Sequence, residues 1–298
     1  VIVTHTARRP YLVGLVGSGV TPSLTPPMHM AAARELGLEY VYRPLDITAL
    51  GLSPTAIGDI LTWAERLGYD ALNITHPCKR LVLDHLDHVD PLAAALGAVN
   101  TVLFTPEGRI GHNTDTTGFA AGFVSGLPGV ATDRVVQLGA GGAGSAVADA
   151  LLRGGVGRLI VVDIDGRRAA ELVDDLRSRH GVERVAVGAA DDLAVLLAAA
   201  DGLVHCTPTG MAEHPGMPVD AALLRPTLWV ADIVYRPYET ALLRAARALG
   251  APTLDGGRMA VFQAVDAFEL ITGIRPDADR MSAHFHALVA ADHDVLTR

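Results

Sequence analysis

Little in this chain would build a disulfide framework, a nucleic-acid surface or a membrane span. Its 298 residues include two cysteines, Cys78 and Cys206. They are too few and too unpatterned for a disulfide scaffold, so a reducing cytoplasm is the expected compartment. Basic runs are absent, and the formal net charge is −9 with a pI of about 5.7. That balance argues against nucleic acid or an anionic membrane surface as a partner. The most apolar stretch, 135–152, is broken by glycines and an aspartate, and residues 1–10 lack the apolar core of a signal peptide, so neither a span nor a leader is expected. Asp84, His85, Asp87 and His88 read as lying on an exposed helix without a third convergent element, and no metal is expected. What the chain has in quantity is apolar residues, 50% of the total with a mean hydropathy of +0.31. Such a length and composition suit two domains with substantial cores.

The most informative segment is the glycine-rich turn Gly139-Ala140-Gly141-Gly142-Ala143-Gly144. Residues 135–138 before it read as a buried strand, 145–152 after it carry apolar residues at helical spacing, and 158–162 read as the next parallel strand. A βαβ unit of this order sets the free N–H groups of a helix N-terminus against a pyrophosphate. The glycines permit the tight turn and the close backbone approach. An ordinary strand–helix turn would not call for the acid, Asp163, that ends the second strand. A carboxylate there accepts hydrogen bonds from ribose hydroxyls and repels a 2′-phosphate, which selects NAD over NADP. Asp165 adds charge to the same loop. Arg167 and Arg168 are the counterweight, because a guanidinium pairs with phosphate. Read as the solvated first turn of the next helix, they leave NAD as the expected cofactor.

The first third of the chain also reads as α/β, with strands at 11–16, 40–45 and 71–74 and helices at 27–36, 55–67, 81–86 and 91–96. A hairpin of 99–104 with 109–112 is expected around Pro106-Glu107-Gly108. Later strands at 185–187, 202–205 and 228–233 alternate with helices, as a doubly wound sheet requires. Helices at 260–272 and 279–291 follow. Polar loops at strand ends are where open α/β sheets bind ligands. Asn73-Ile74-Thr75-His76-Pro77-Cys78-Lys79 is such a loop. Lys79 is suited to exchange a proton with a substrate alcohol as hydride leaves the same carbon; a solvated surface lysine is the competing reading. Asp115, after Asn113-Thr114, is placed to orient that lysine. Ser23 and Thr25 suit a carboxylate, or a helix cap. Cys78 reads as packing and His76 as a hydrogen-bond partner.

Together these pieces resemble the shikimate/quinate dehydrogenase family over nearly the whole chain. The motifs run in order: Ser23-x-Thr25-Pro26-x-x-His29, Asn73-x-Thr75-x-Pro77-x-Lys79, Gly97-Ala98-Val99-Asn100-Thr101, Asn113-Thr114-Asp115 and the glycine turn. Thr207-Pro208-x-Gly210-Met211, Asp232-x-x-Tyr235-x-Pro237-x-x-Thr240 and Asp255-Gly256-x-x-Met259-x-x-x-Gln263 complete the series. The resemblance implies an N-terminal α/β substrate domain over 1–117, a Rossmann doubly wound parallel sheet over 118–256, and C-terminal helices, 257–298, returning to the first domain. It implies NAD-dependent oxidation or reduction of a ring hydroxyl of shikimate or quinate. Lys79 and Asp115 would be the catalytic pair, with Ser23 and Thr25 at the substrate carboxylate. Asn73, Thr75, Asn100, Asp115 and Gln263 would meet ring hydroxyls, with Tyr235 near the substrate. NAD would lie against Gly139, Gly141, Gly142, Ala143, Gly144, Asp163, Thr207, Pro208, Met211, Val234, Gly256 and Met259. The expected partner is a small cyclic hydroxy acid, with homo-oligomerisation left open.

Three departures refine the resemblance. The NADP-using members carry Asn-Arg-Thr where this chain has Asp163-Ile164-Asp165, so the arginine that grips the 2′-phosphate is replaced by Ile164. Ser23-x-Thr25 stands where Ser-x-Ser is usual, which is similar to the NAD-dependent quinate/shikimate dehydrogenases. Arg258 occupies a position where glycine is common and bears on substrate closure. Rival readings are an aminoshikimate or aminoquinate dehydrogenase, a folate-linked dehydrogenase and a non-catalytic metabolite sensor. The paired hydroxyls of Ser23 and Thr25 oppose the second, and intact Lys79 and Asp115 oppose the third.

Overall fold

The computed structural model describes residues 9–212 and 214–296. The chain divides into two compact units, Val1–Thr114 with Ala264–Arg298, and Asp115–Gln263.

The first unit begins β1 (Tyr11–Gly17), α1 (Thr25–Glu35), β2 (Tyr40–Asp46), α2 (Ile57–Arg66) and β3 (Ala71–Ile74), continuing through β4 (His88–Val89), α3 (Pro91–Leu96), β5 (Thr101–Thr105) and β6 (Gly108–His112). Its sheet runs β2-β1-β3-β5-β6-β4. β1 pairs in parallel with β2 and β3, whereas β3–β5 and the β5–β6 hairpin are antiparallel. Prolines open α1 and α3, where a fixed φ suits the helix and no N–H is missed. The Asp90 carboxylate caps α3 through Leu92 N and Ala93 N, and Gly97 ends it in the left-handed region at φ 59°. Val16, Ile57, Leu61, Leu72, Ile74 and Val102 belong to the buried core of this unit.

Two local expectations change. Where periodicity predicts a helix at 81–86, the chain forms a 3-10 turn, Leu81–His85. Asp87 then bonds Arg109 through both its N–H (3.0 Å) and its carboxylate (2.7 Å), which draws the chain into β4. The expected helix at 55–67 opens as a 3-10 turn, Pro54–Ala56, before α2.

The second unit runs α4 (Asp115–Gly126), β7 (Arg134–Leu138), α5 (Gly142–Arg153), β8 (Arg158–Val162), α6 (Gly166–His180) and β9 (Val185–Val187). It continues with α7 (Leu193–Ala198), β10 (Gly202–His205), β11 (Trp229–Asp232), α8 (Ala241–Ala248) and β12 (Thr253–Leu254). The six strands are all parallel in the order β12-β11-β10-β7-β8-β9. This is the Rossmann arrangement, and its order reverses between β10 and β7. The crevice beyond the C-terminal ends of those strands is where such sheets bind dinucleotides.

The division between units falls within α9 (Gly256–Thr272), between Gln263 and Ala264. Glycines 118, 122 and 126 recur every four residues along α4. A Cβ at Gly118 would lie 2.6 Å from Gln263 N, and one at Gly126 would lie 2.5 Å from Leu254 Cδ1, so the spacing lets α4 lie close against α9 and β12. The last helix, α10 (Ala278–Leu296), packs in the first unit, where His284 Nε2 lies 2.9 Å from Glu35 Oε1 of α1. No helix among the described residues is long and apolar enough to cross a membrane.

Candidate active site

In the first unit the antiparallel register sets Asn73 opposite Thr101, and a chain of buried side chains grows from that pair. Tyr42 donates its hydroxyl hydrogen to Asn73 Oδ1 (2.5 Å), and Asn73 Nδ2 donates to Thr101 Oγ1 (2.9 Å). Thr101 Oγ1 donates to Asn100 Oδ1 (3.1 Å), which also accepts from Thr114 N (2.9 Å). Asn100 Nδ2 completes the circuit to Thr114 Oγ1 at 2.9 Å. Burial, followed by the neighbouring Tyr40, pushes the Tyr42 phenol well up and keeps it a donor. Asn73 and Asn100, both expected at the site, are therefore brought into one network through Thr101. Below them His29 is fully buried, 3.1 Å from the Tyr40 hydroxyl and edge-on to Tyr42. Burial lowers its pKa to about 3, so the ring is neutral.

Ser23 and Thr25 are half-buried, and Ser23 Oγ accepts from Thr25 N at 3.3 Å. The preceding loop is held by Asp46, which accepts from Gly19 N (3.0 Å), Thr21 N (3.1 Å) and Thr21 Oγ1 (2.9 Å). Burial raises the Asp46 pKa, but the hydrogen bonds from Thr21, Gly19 and Ala49 outweigh it and hold the carboxylate below its ordinary value. Thr75 and Lys79 are half-buried on the loop after β3. That loop is anchored by Val99 N to Lys79 O (2.9 Å) and by Ser18 N to His76 O (2.9 Å). Cys78 is buried, and burial raises its thiol pKa, in keeping with packing. Lys79 is the only lysine among the 24 lysines and arginines of the chain, a signal that motif spacing alone does not carry. Asp115 is buried at the first position of α4.

The second unit builds its site from backbone. Gln137 Nε2, fully buried in β7, donates to both Gly139 O and Gly144 O at 2.9 Å and staples the two ends of the glycine turn together. Gly139 has φ +99°, and a Cβ there would lie 2.7 Å from Cys206 O; one on Gly144 would lie 2.3 Å from Gly139 O. By contrast, a Cβ at Gly141 or Gly142 would meet nothing within 4 Å. The α5 N-terminus they form has no side-chain cap, so its N–H groups and the positive end of the helix fit a pyrophosphate. Asp163 Oδ2 accepts from Ala140 N (2.7 Å) and Oδ1 from Asp165 N (2.9 Å). Ile164 is wholly exposed, at 101%. Arg168 lies 4.0 Å from Asp163 and 3.8 Å from Asp165, engaged by two acids, while Arg167 is exposed.

The remaining cofactor candidates lie on three loops. Thr207 Oγ1 lies 2.5 Å from His205 Nε2. Pro208 and Met211 are exposed, Ala143 is half-buried, and Val234 is buried with its N–H on Asp232 Oδ1 at 3.0 Å. A Cβ at Gly256 would lie 2.3 Å from Ile233 O, so glycine is required where α9 passes the end of β11. Met259, Tyr235 and Gln263 are half-buried. Motif reading gave Asp46, Gln137 and His205 no role. For the last two a signal existed: Gln137 is the penultimate and His205 the last residue of a strand that is apolar toward its end, each just before a motif-bearing loop.

A family model for the shikimate dehydrogenase substrate binding domain matches residues 15–102. A shikimate dehydrogenase (NADP(+)) from Streptomyces avermitilis is 59% identical over 92% of this chain and 94% of that protein. A quinate/shikimate dehydrogenase (NAD(+)) from Corynebacterium efficiens is 49% identical over 93% and 98%. Among solved structures, quinate dehydrogenase from Corynebacterium glutamicum in complex with NAD superposes with a TM-score of 0.87 at 48% identity, covering 93% of this chain and 99% of that one. Likeness of this extent over both units shows that the chain belongs to the shikimate/quinate dehydrogenase family.

Proposed function

We propose that this protein transfers hydride between NAD and one ring hydroxyl of shikimate or quinate, with 3-dehydroshikimate or 3-dehydroquinate as the ketone. The observation that carries the reading is the solitary lysine. Every other lysine-or-arginine position in the chain is arginine, which holds its proton at any pH a folded protein meets. Position 79 keeps the one long cation that can release a proton and take it back. It does so on the loop after β3, where the family resemblance puts the acid–base group.

In this reading Lys79 accepts the alcohol proton, and Asp115 is its partner in the acid–base pair. Ser23 and Thr25 hold the substrate carboxylate. Asn73, Thr75, Asn100 and Gln263 bind ring hydroxyls, and Tyr235 contacts the substrate. The network from Tyr42 to Thr114 fixes the two asparagine amides before any ligand arrives, which lowers the ordering cost of binding. When bound, the nicotinamide supplies hydride acceptance and donation. Gly139, Gly141, Gly142, Ala143 and Gly144 would cradle its pyrophosphate, and Asp163 the adenosine ribose. Thr207, Pro208, Met211, Val234, Gly256 and Met259 would line the rest of the cofactor site. The substrate domain is assigned to 1–117, the nucleotide domain to 118–256, and helices 257–298 to the first domain.

The choice of NAD rests on the Asp163 loop, since whole-chain similarity does not sort the cofactors: relatives at 57–59% identity bear NADP(+) names and those at 48–49% bear NAD(+) names. An acid at the ribose, an exposed isoleucine beside it and an arginine already engaged by two carboxylates all favour NAD. Those NADP(+) names support the second reading, in which Arg167 and Arg168 accept a 2′-phosphate. The test is a set of initial rates with purified protein, shikimate or quinate, and each cofactor. NAD reduction with either acid is expected. Binding of the acids without turnover would establish the sensor reading, and turnover confined to an amino analogue would redirect the substrate assignment.

A further inference from the structure

A fully buried imidazole behind the Thr207 loop has no part in the roles above. His205 ends β10 and Asp232 ends β11, and the parallel register sets them side by side. Their side chains are wholly inaccessible to solvent, with His205 Nδ1 2.9 Å from Asp232 Oδ1. The other ring nitrogen, Nε2, lies 2.5 Å from Thr207 Oγ1, and that oxygen accepts from Thr209 N at 3.3 Å. Asp232 is shared further. Oδ1 accepts from Val234 N (3.0 Å), and Oδ2 accepts from Thr240 Oγ1 (2.7 Å), the residue that caps α8 through Leu243 N (3.2 Å). One carboxylate and one imidazole thus tie the loop after β10 to the loop after β11.

We propose that His205, backed by Asp232, is a positioning residue for the cofactor site, holding Thr207 in one rotamer with its hydroxyl hydrogen turned inward. The inference rests on the reading of Thr207 and Val234 as cofactor contacts and adds what sets their geometry. The carboxylate oxygen only accepts, so Nδ1 carries a proton; with that as the ring's one proton, Nε2 is an acceptor. Thr207 then donates to Nε2 and accepts from Thr209 N, and its remaining lone pair is available only to a donor. The amide of a nicotinamide carboxamide is a donor of that class. Asp232 plays the part that a carboxylate behind a histidine plays wherever one tautomer must be held. A shape-filling role for His205 would not need a donor and an acceptor, and both are used.

The test is a fluorescence titration with NADH and with NADPH on four proteins: the unmodified chain, His205→Phe, His205→Gln and Thr207→Val, together with the Thr207→Val/His205→Phe double variant. Glutamine keeps one donor and one acceptor at similar separation; phenylalanine keeps the volume and loses both. His205→Phe is expected to weaken the preferred cofactor about tenfold, and His205→Gln to stay within about twofold. In the Thr207→Val background His205→Phe should add less than about twofold, because the effect runs through that hydroxyl. Equal losses in both backgrounds, or no loss at all, would overturn the proposal. Should His205→Phe not fold, the ¹⁵N spectrum of the unmodified protein decides: a proton on Nδ1 and none on Nε2 is expected, and a proton on Nε2, with or without one on Nδ1, overturns it. If the unmodified chain binds neither dinucleotide, the cofactor reading itself falls, which separates that failure from this one.

Discussion

In the first unit Asn73 and Asn100 are held by other side chains, from Tyr42 through Thr101 to Thr114. In the second the groups held are mostly backbone: Gly139 O and Gly144 O by Gln137, and Ala140 N by Asp163. The contrast fits two kinds of ligand. A ring acid is distinguished by where its hydroxyls point, and only placed side chains read that pattern. A pyrophosphate offers charge and little shape, and a row of N–H groups at a helix end is enough. On the proposed reading, substrate identity rests on side chains that one substitution can remove, whereas the pyrophosphate cradle rests on the glycines and their two staples.

The largest effect should come from the side-chain half. Lys79→Ala is expected to lower kcat about 10²–10⁴-fold with NADH affinity unchanged. Lys79→Arg should fare little better, because it keeps the charge without a releasable proton. Turnover near that of the parent in Lys79→Arg would remove the argument from the solitary lysine.

The glycine turn offers a sharper cut through the backbone half. Gly144→Ala would press a methyl group against Gly139 O and should cost about 1–3 kcal/mol of stability, seen as a lower denaturation midpoint. Gly142→Ala meets open space and should leave stability within about 0.5 kcal/mol while weakening NADH binding, because the methyl group occupies the ligand's approach. If both variants lose stability equally, the division of the turn into a structural and a ligand-facing glycine is wrong.

Cofactor choice is the exception in the second unit, since it depends on side chains. Asp163→Asn with Ile164→Arg should shift the ratio of kcat/KM values toward NADP by removing a repulsion and adding a charge-assisted contact. Better use of NADP by the unmodified protein would show that Arg167 and Arg168 outweigh Asp163.

The smallest effect concerns pH and the aromatic floor of the first unit. His29 is held neutral, its pKa lowered to about 3 by burial. Its folded pKa is below its unfolded one, so its contribution is complete above the unfolded value of about 6.5 and is lost as pH falls toward 3. By pH 5.5 the loss from this group should be about 1.4 kcal/mol. His29→Phe should flatten that limb of a stability–pH curve, and an unchanged slope would refute the assignment.

Much of the second sheet is legible from sequence because its strands are short apolar runs before glycine or polar loops. Residues 185–187 and 202–205 are strands as expected. α4 is not legible, because Gly118, Gly122 and Gly126 lower helix propensity for the sake of packing that only the fold reveals. β4 and β12, two residues each, carry no periodicity at all. At the site, motif spacing names Asn73 and Asn100 but not the hydroxyl of Thr101 that joins them. Gln137 and His205 stand in plain view, yet their partners are carbonyls and hydroxyls brought near by loops.

The Asp163 carboxylate, proposed to meet the ribose, also fastens Ala140 N of the glycine turn. This constrains the path by which a lineage changes its coenzyme. A step at Asp163 must keep acceptors for both Ala140 N and Asp165 N, and asparagine, with a single amide oxygen, replaces only one of the two carboxylate oxygens they use. A first step at Ile164 disturbs nothing, because the side chain projects into solvent. The exposed position is therefore free to change alone, whereas the acid is constrained by the turn it anchors.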